Sequence, residues 1–170
     1  EGHRKVENTV SKIGDIPGEC PEPNHKEWIP AKTISWEVTR TLDMDDLGTT
    51  QRGYANSSFG KISVTTELSI ASPKLMLSVA DGTVRKDITI EMCRSGESSG
   101  KGMEPYLIWK LFDVVIDKYE VSGGEEQVPE ESWDLAYRRI EIEYKKADPN
   151  TGALGPGGSF SWDLMAGEMG

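Results

Sequence analysis

Residues 14–29, GDIPGECPEPNHKEWI, bring Cys20 and His25 together with Asp15, Glu19, Glu22 and Glu27. These types and this spacing invite two chemistries, a metal site or an activated thiol. A closed zinc site needs four donors. The stretch supplies two soft ones, and the remaining cysteine and histidine, Cys93 and His3, lie far away in sequence. No cation adjoins Cys20 to lower its pKa. Pro17-Gly18 reads as a turn, Pro21 and Pro23 stiffen the chain, and Trp28-Ile29 starts a strand. The sequence therefore predicts a connection here, with no metal ligands and no cofactor. The two cysteines read as independent thiols, although one bridge between them stays open.

Three further motifs fail on their context. GESSG, residues 96–100, has the G-x-S-x-G form of a nucleophile elbow around Ser98. An elbow needs a following helix and a later histidine. Here Pro105 and a strand pattern follow, and both histidines come earlier. GALGPGGS, residues 152–159, has Gly158 where a phosphate loop needs lysine, so it reads as a loop between strands. DMDDLG, residues 43–48, starts like a calcium loop, but Leu47 and Tyr54 occupy ligand positions. No catalytic residue is assigned, and the chain is not expected to be an enzyme.

The elements that must position any site are mostly strands. Ile34, Trp36 and Val38 alternate with polar residues, as do Ile62 and Val64, then Ile88, Ile90 and Met92, then Phe160, Trp162 and Leu164. About eight strands are expected, with a weaker one near residues 10–13. Ser72 as N-cap, Pro73, a face of Leu75, Met76 and Val79, and a closing Gly82 predict one helix over 73–81. In SWDLAYRRIEIEY the apolar positions change parity near Arg138-Arg139. Either a β-bulge restores a common face or the strand is covered on both sides.

Residues 104–121 are apolar on both faces. Tyr106, Ile108, Phe112, Val114 and Ile116 mark one face; Leu107, Trp109, Leu111 and Val115 mark the other. The second set is the candidate subunit interface, covered by the helix or by a neighbouring subunit. The longest irregular stretch is 42–58.

The 170 residues suit one domain, residues 1–170, with 1–8 a flexible or partly vector-derived N-terminus. A net charge of -10 disfavours nucleic acid and basic membrane-surface contacts. No apolar run is long enough for a transmembrane helix or a signal-peptide core.

In order and spacing, GDIPGE, HKEWI, ISW, ASPKLMLSVADG, EPYLIWKLFDVVIDKYEVSGG, PEESWDLAYRRIEIEY and GSFSWDL resemble the Hcp (haemolysin-coregulated protein) family of type VI secretion tube proteins. The resemblance runs over residues 9–164. It implies a mainly β fold, a β-barrel of two antiparallel sheets with one short helix. Six such subunits would close a ring, and rings would stack into a tube. A sheath and a spike would be its partners, and effectors its cargo. The tube would form in the bacterial cytoplasm and leave the cell without a signal peptide. Asp43, Asp45, Asp46, Arg52 and Tyr54 then fall in a candidate ring-stacking loop. Proline in CPEPNHK and the long acidic 42–58 stretch depart from the family pattern. The alternative function is a small β-barrel module holding an apolar ligand, which inward Trp36, Phe112 and Trp162 would obstruct.

Overall fold

A computed structural model describes residues 8–40, 57–95 and 102–167. The expected stacking residues Asp43, Asp45, Asp46, Arg52 and Tyr54, and Ser98 in its glycine-rich turn, lie outside the described residues.

Among the described residues, eleven strands and one α-helix follow in chain order. They are β1 (Asn8–Lys12), β2 (Ile29–Ala31), β3 (Thr33–Ser35), β4 (Val38–Arg40), β5 (Ser57–Phe59), β6 (Ile62–Glu67), α1 (Ser72–Asp81), β7 (Val84–Ser95), β8 (Met103–Ser122), β9 (Glu130–Ala136), β10 (Arg139–Ala147) and β11 (Leu154–Asp163). The excess over the expected eight lies among the three-residue strands β2 to β5; the expected run through Ile34, Trp36 and Val38, for one, is split between β3 and β4.

All pairings are antiparallel. Nine strands form one sheet in the order β2-β1-β7-β8-β9-β6-β3, with β10 paired to β8 and β11 to β10; β4 and β5 form a second, two-stranded sheet. This differs from the expected barrel of two sheets. The hydrogen-bonded order is open and ends on β2 and β3. Those two end strands are consecutive, with Lys32 alone between them, and Lys32 N–H donates to Thr65 O at 2.8 Å.

The parity change near Arg138 falls at residues 137–138, between β9 and β10. Trp133, Leu135 and Tyr137 are buried before it, Ile140 after it. Its neighbour β8 changes parity at the same level. Trp109 and Leu111 are buried before Asp113; Val114 and Ile116 are buried after it. Asp113 takes the left-handed φ of 52° that accommodates the extra residue.

This coincidence explains the doubly apolar look of β8, and the candidate interface residues divide between core and half-buried positions. Leu111, wholly buried, and Trp109 lie in the chain's own core, and Leu107 packs against it. Val115 is half-buried and paired to both Val84 and Ala136. Phe112 does not point inward as expected. It carries the Arg139 guanidinium 4.5 Å above its ring, on the face opposite Leu111 and Ile140.

The helix lies against β8 with Leu75 wholly buried and Val79 packed on the core. Met76 is 40% exposed, so it leaves the face expected of it. Ser72 is inside the helix rather than at its cap; its Oγ accepts from Ser69 N–H at 2.9 Å. Gly82 closes the helix at φ 68°, donating to Ser78 O at 3.1 Å. The 152–159 segment also departs from its expected loop character. β11 begins at Leu154, and Pro156 pairs with Lys145 beside a register shift.

Trp133, Ile62, Ile88, Leu135 and Ile140 complete the interior. Between β11 and the small sheet runs an aromatic seam. Phe59 stacks on Trp162 at 5.8 Å and on Phe160 at 6.3 Å, and Trp36 tilts against Phe160 at 6.5 Å. Tyr137 anchors it: its hydroxyl accepts from Trp36 Nε1 at 2.7 Å and donates to Gly60 O at 2.8 Å.

Candidate functional site

Two places have the makings of function, a largely polar sheet face that ends on β11 and a buried polar cluster at its β7 side.

The face opposite the core runs across β7, β8, β10 and β11. Register places Thr89, Lys110, Glu141 and Ser161 in one row, and Glu91, Ile108, Glu143 and Ser159 in the next. Strand alternation puts them on the side away from Leu111 and Ile140. A groove of about 580 Å³ opens between β8, β10 and β11, lined by Ile108, Lys110, Glu143, Tyr144 and Phe160 among others. Tyr144 is 50% exposed and Phe160 38%. Gly157 is required here, since a Cβ on it would lie 2.7 Å from Tyr144 O.

Among the described residues β11 pairs only with β10. Its sequence, LGPGGSFSWD, carries no charge before Asp163. Long edges without charge offer unpaired backbone groups to another strand.

The buried cluster arises from the 14–29 stretch. Gly18 N–H donates to Glu27 O at 2.7 Å, and Cys20 N–H to Trp28 O at 3.0 Å. A side chain at Gly18 would collide with Trp28 O at 2.4 Å, so only glycine lets these two segments close. A single 3-10 turn, Pro23–His25, then tips the imidazole of His25 inward, where it is buried.

His25 Nδ1 lies 2.6 Å from Glu22 Oε2, and Nε2 lies 2.6 Å from Glu91 Oε2. Cys93 Sγ is 3.7 Å from Nε2 and 4.0 Å from Glu91 Oε2. Trp28 meets the imidazole edge-on at 4.7 Å. Cys20, Cys93 and Val10 form the adjoining small apolar cluster, with Trp28 and Met103 against it. Glu22 Oε1 also accepts from Met103 N–H at 3.3 Å, and a Cβ on Gly102 would collide with that oxygen.

Burial and the carboxylates of Glu91 and Glu22 push the Cys93 thiol up to about 12. Burial also raises Glu22. The hydrogen bond from His25, with those from Asn24 and Met103 N–H, outweighs it and holds this carboxyl below its ordinary value.

Distance along the chain does not separate these groups in space. Cys93 stands 68 residues from His25 in the chain yet beside it in the fold. Glu91 and Cys93 alternate with the core residues Ile90 and Met92, which marks them as a pair on the opposite face of β7. That much was visible in the sequence. The pairing of β1 with β7, Val10 opposite Glu91, which carries the loop to them, was not.

A family model described as "Type VI secretion system effector, Hcp" matches residues 11–144. A solved structure of a type six secretion system protein is similar at TM-score 0.83 and 26% identity, covering 96% of this chain and 99% of that one. Hcp1 from Salmonella typhimurium superposes at TM-score 0.70 and 18% identity over 94% of this chain and 96% of its own. A type VI secretion system effector from Yersinia pestis gives 0.68 and 21% over 91% and 98%. The last two identities speak to the fold alone. No curated protein sequence matches. The family match covers most of the sheet, from β1 to β10, and the chain belongs to the Hcp family of type VI secretion system proteins.

Proposed function

We propose that the chain is a subunit of the type VI secretion tube. Six copies close a head-to-tail ring, rings stack, and the polar face of β7, β8, β10 and β11 lines a hydrated lumen through which effectors travel. The sheath, the spike and cargo effectors are its partners. The reading includes a barrel-like subunit whose sheet ends are tied through Lys32.

The observation that carries it is the nearly uncharged strand β11, which among the described residues pairs with β10 alone, beside exposed Tyr144 and Phe160. A cyclic interface uses two different patches per subunit. This edge suits one of them. The reading of a module for an apolar ligand has less support, because Trp133, Leu111 and Ile116 fill the interior. The family carries the chain to a structural rather than a catalytic role.

Light scattering on purified protein, with negative-stain microscopy, tests the ring. A discrete mass of six chains and a particle with a central hole are expected. A monomer at tens of micromolar would overturn the proposal.

A further inference from the structure

We propose that His25, Glu91 and Cys93 form a binding site for a thiophilic divalent ion, zinc being the best fit, with Glu22 orienting the imidazole from behind.

The donor atoms of these three residues lie within 4.8 Å of one another. In a tetrahedral site with metal–nitrogen and metal–oxygen bonds of about 2.0 Å and a metal–sulfur bond of about 2.3 Å, donor atoms stand about 3.3–3.6 Å apart. The 3.7 Å from Nε2 to Sγ and the 4.0 Å from Sγ to Glu91 are near those edges. Only the 2.6 Å between Nε2 and Glu91 must open, and the Glu91 side chain, 15% exposed, lies at the rim of the cluster. The same rim gives the ion its way in, since Cys93 is wholly buried.

The hydrogen bonds call for a positive charge at this point. Neutral imidazole has one N–H, yet both ring nitrogens face carboxylate oxygens at 2.6 Å. A proton at Nε2 satisfies Glu91 and leaves the Cys93 thiol only a long contact to Glu91 Oε2 at 4.0 Å. A divalent ion employs all three donors. It takes the lone pair of Nε2, one Glu91 oxygen and the Cys93 sulfur, while the thiol proton and any proton between Nε2 and Glu91 leave to solvent. Nδ1–H then donates to Glu22, the carboxylate–histidine–metal arrangement that fixes a ligating ring. The mixed sulfur, nitrogen and oxygen set favours zinc over magnesium or calcium. The ion would pin the 18–28 loop to β7, an edge-to-centre tie that the backbone does not make.

Tag-free, metal-stripped protein is titrated with cobalt(II) as a spectroscopic stand-in, and with zinc. One equivalent per chain, a near-ultraviolet sulfur-to-cobalt band, displacement of cobalt by zinc and a higher melting temperature with zinc are expected. Cys93→Ser should abolish the band. X-ray absorption at the zinc edge of the unaltered protein reads the same site without a variant, and should show one sulfur at about 2.3 Å among nitrogen and oxygen donors. Failure to bind one equivalent at micromolar metal, a shell without sulfur, or a band that survives Cys93→Ser would each overturn the site.

Discussion

Arg138 Nη1 lies 3.7 Å from Asp113 Oδ2, across the step at which two neighbouring strands change face together. Phe112 pairs with Arg139 below that step and Val115 with Ala136 above it. Because both strands shift, the ladder keeps its register while its core side turns.

The backbone at Asp113, rather than the ion pair, should govern that bend. Asp113→Val forces a β-branched residue to φ 52° and should cost about 1–2 kcal/mol. Asp113→Gly should stay within about 1 kcal/mol of the parent. Arg138 and Asp113 are half exposed, so Arg138→Ala should cost under about 1 kcal/mol. Urea denaturation ranks the three. A larger loss for Arg138→Ala than for Asp113→Val would mean that the charges hold the bend.

Leu75→Ala should cost about 2–5 kcal/mol, since the side chain is wholly buried against β8. Ser72→Ala removes an acceptor from Ser69 N–H within a buried setting and should cost about 1–2 kcal/mol. Equilibrium unfolding that reversed this order would place the weight of α1 on its first turn.

Alkaline titration should single out Tyr119. Burial first, then the Glu131 carboxylate that accepts its hydroxyl at 2.5 Å, push this phenol up to about 12. The folded state thus keeps a proton that the unfolded state, with the ordinary 10, gives up. Its contribution is complete below pH 10 and fades as pH climbs toward 12. Tyr119→Phe should flatten the stability curve in that window. An unchanged slope would remove Tyr119 from the account.

Glu131 is wholly buried and accepts from Thr66 Oγ1 at 2.7 Å as well as from Tyr119. Glu131→Ala removes the carboxylate acceptor of both hydroxyls and should cost about 2–4 kcal/mol by thermal melting. A loss below about 1 kcal/mol would show that water replaces the carboxylate.

Asp15 accepts from Arg85 Nε and Nη2, one edge of the guanidinium, at 2.8 and 3.0 Å, and this holds its carboxyl below the ordinary value. The stabilisation is present above the ordinary 3.8 and is lost as pH falls below it. Asp15 is 66% exposed, so the effect should be under about 1 kcal/mol. Asp15→Asn should be less acid-sensitive than the parent by about that amount; a steeper acid loss in the variant would reverse the assignment.

Alternation carried most of the fold into view, because Ile88, Ile90 and Ile62 sit where period two puts them. The bend at Tyr137–Arg138 was legible for the same reason: a parity slip leaves a trace in apolar spacing. Its twin in β8 was hidden, since Phe112 and Val115 keep both faces apolar and mask the slip. The helix start misled because Ser72 has the right type for a cap, while the chain turns in three residues earlier and Ser72 Oγ reaches back to accept from Ser69 N–H. The His25 cluster was unreadable for another reason. Its ligands join through β1–β7 pairing, and no local pattern encodes which loop a strand face will meet.

Lys32 has a mechanical meaning. Ile29–Ala31 is hydrogen-bonded to β1 and Thr33–Ser35 to β6, so one short run of chain clasps both ends of the sheet order. Its ammonium adds a bond to Glu130 at 2.7 Å. A subunit of the proposed tube, driven lengthwise, would bear load in shear. Rungs on either side of Lys32 then strain in parallel, where a simple sheet end would unzip one rung at a time.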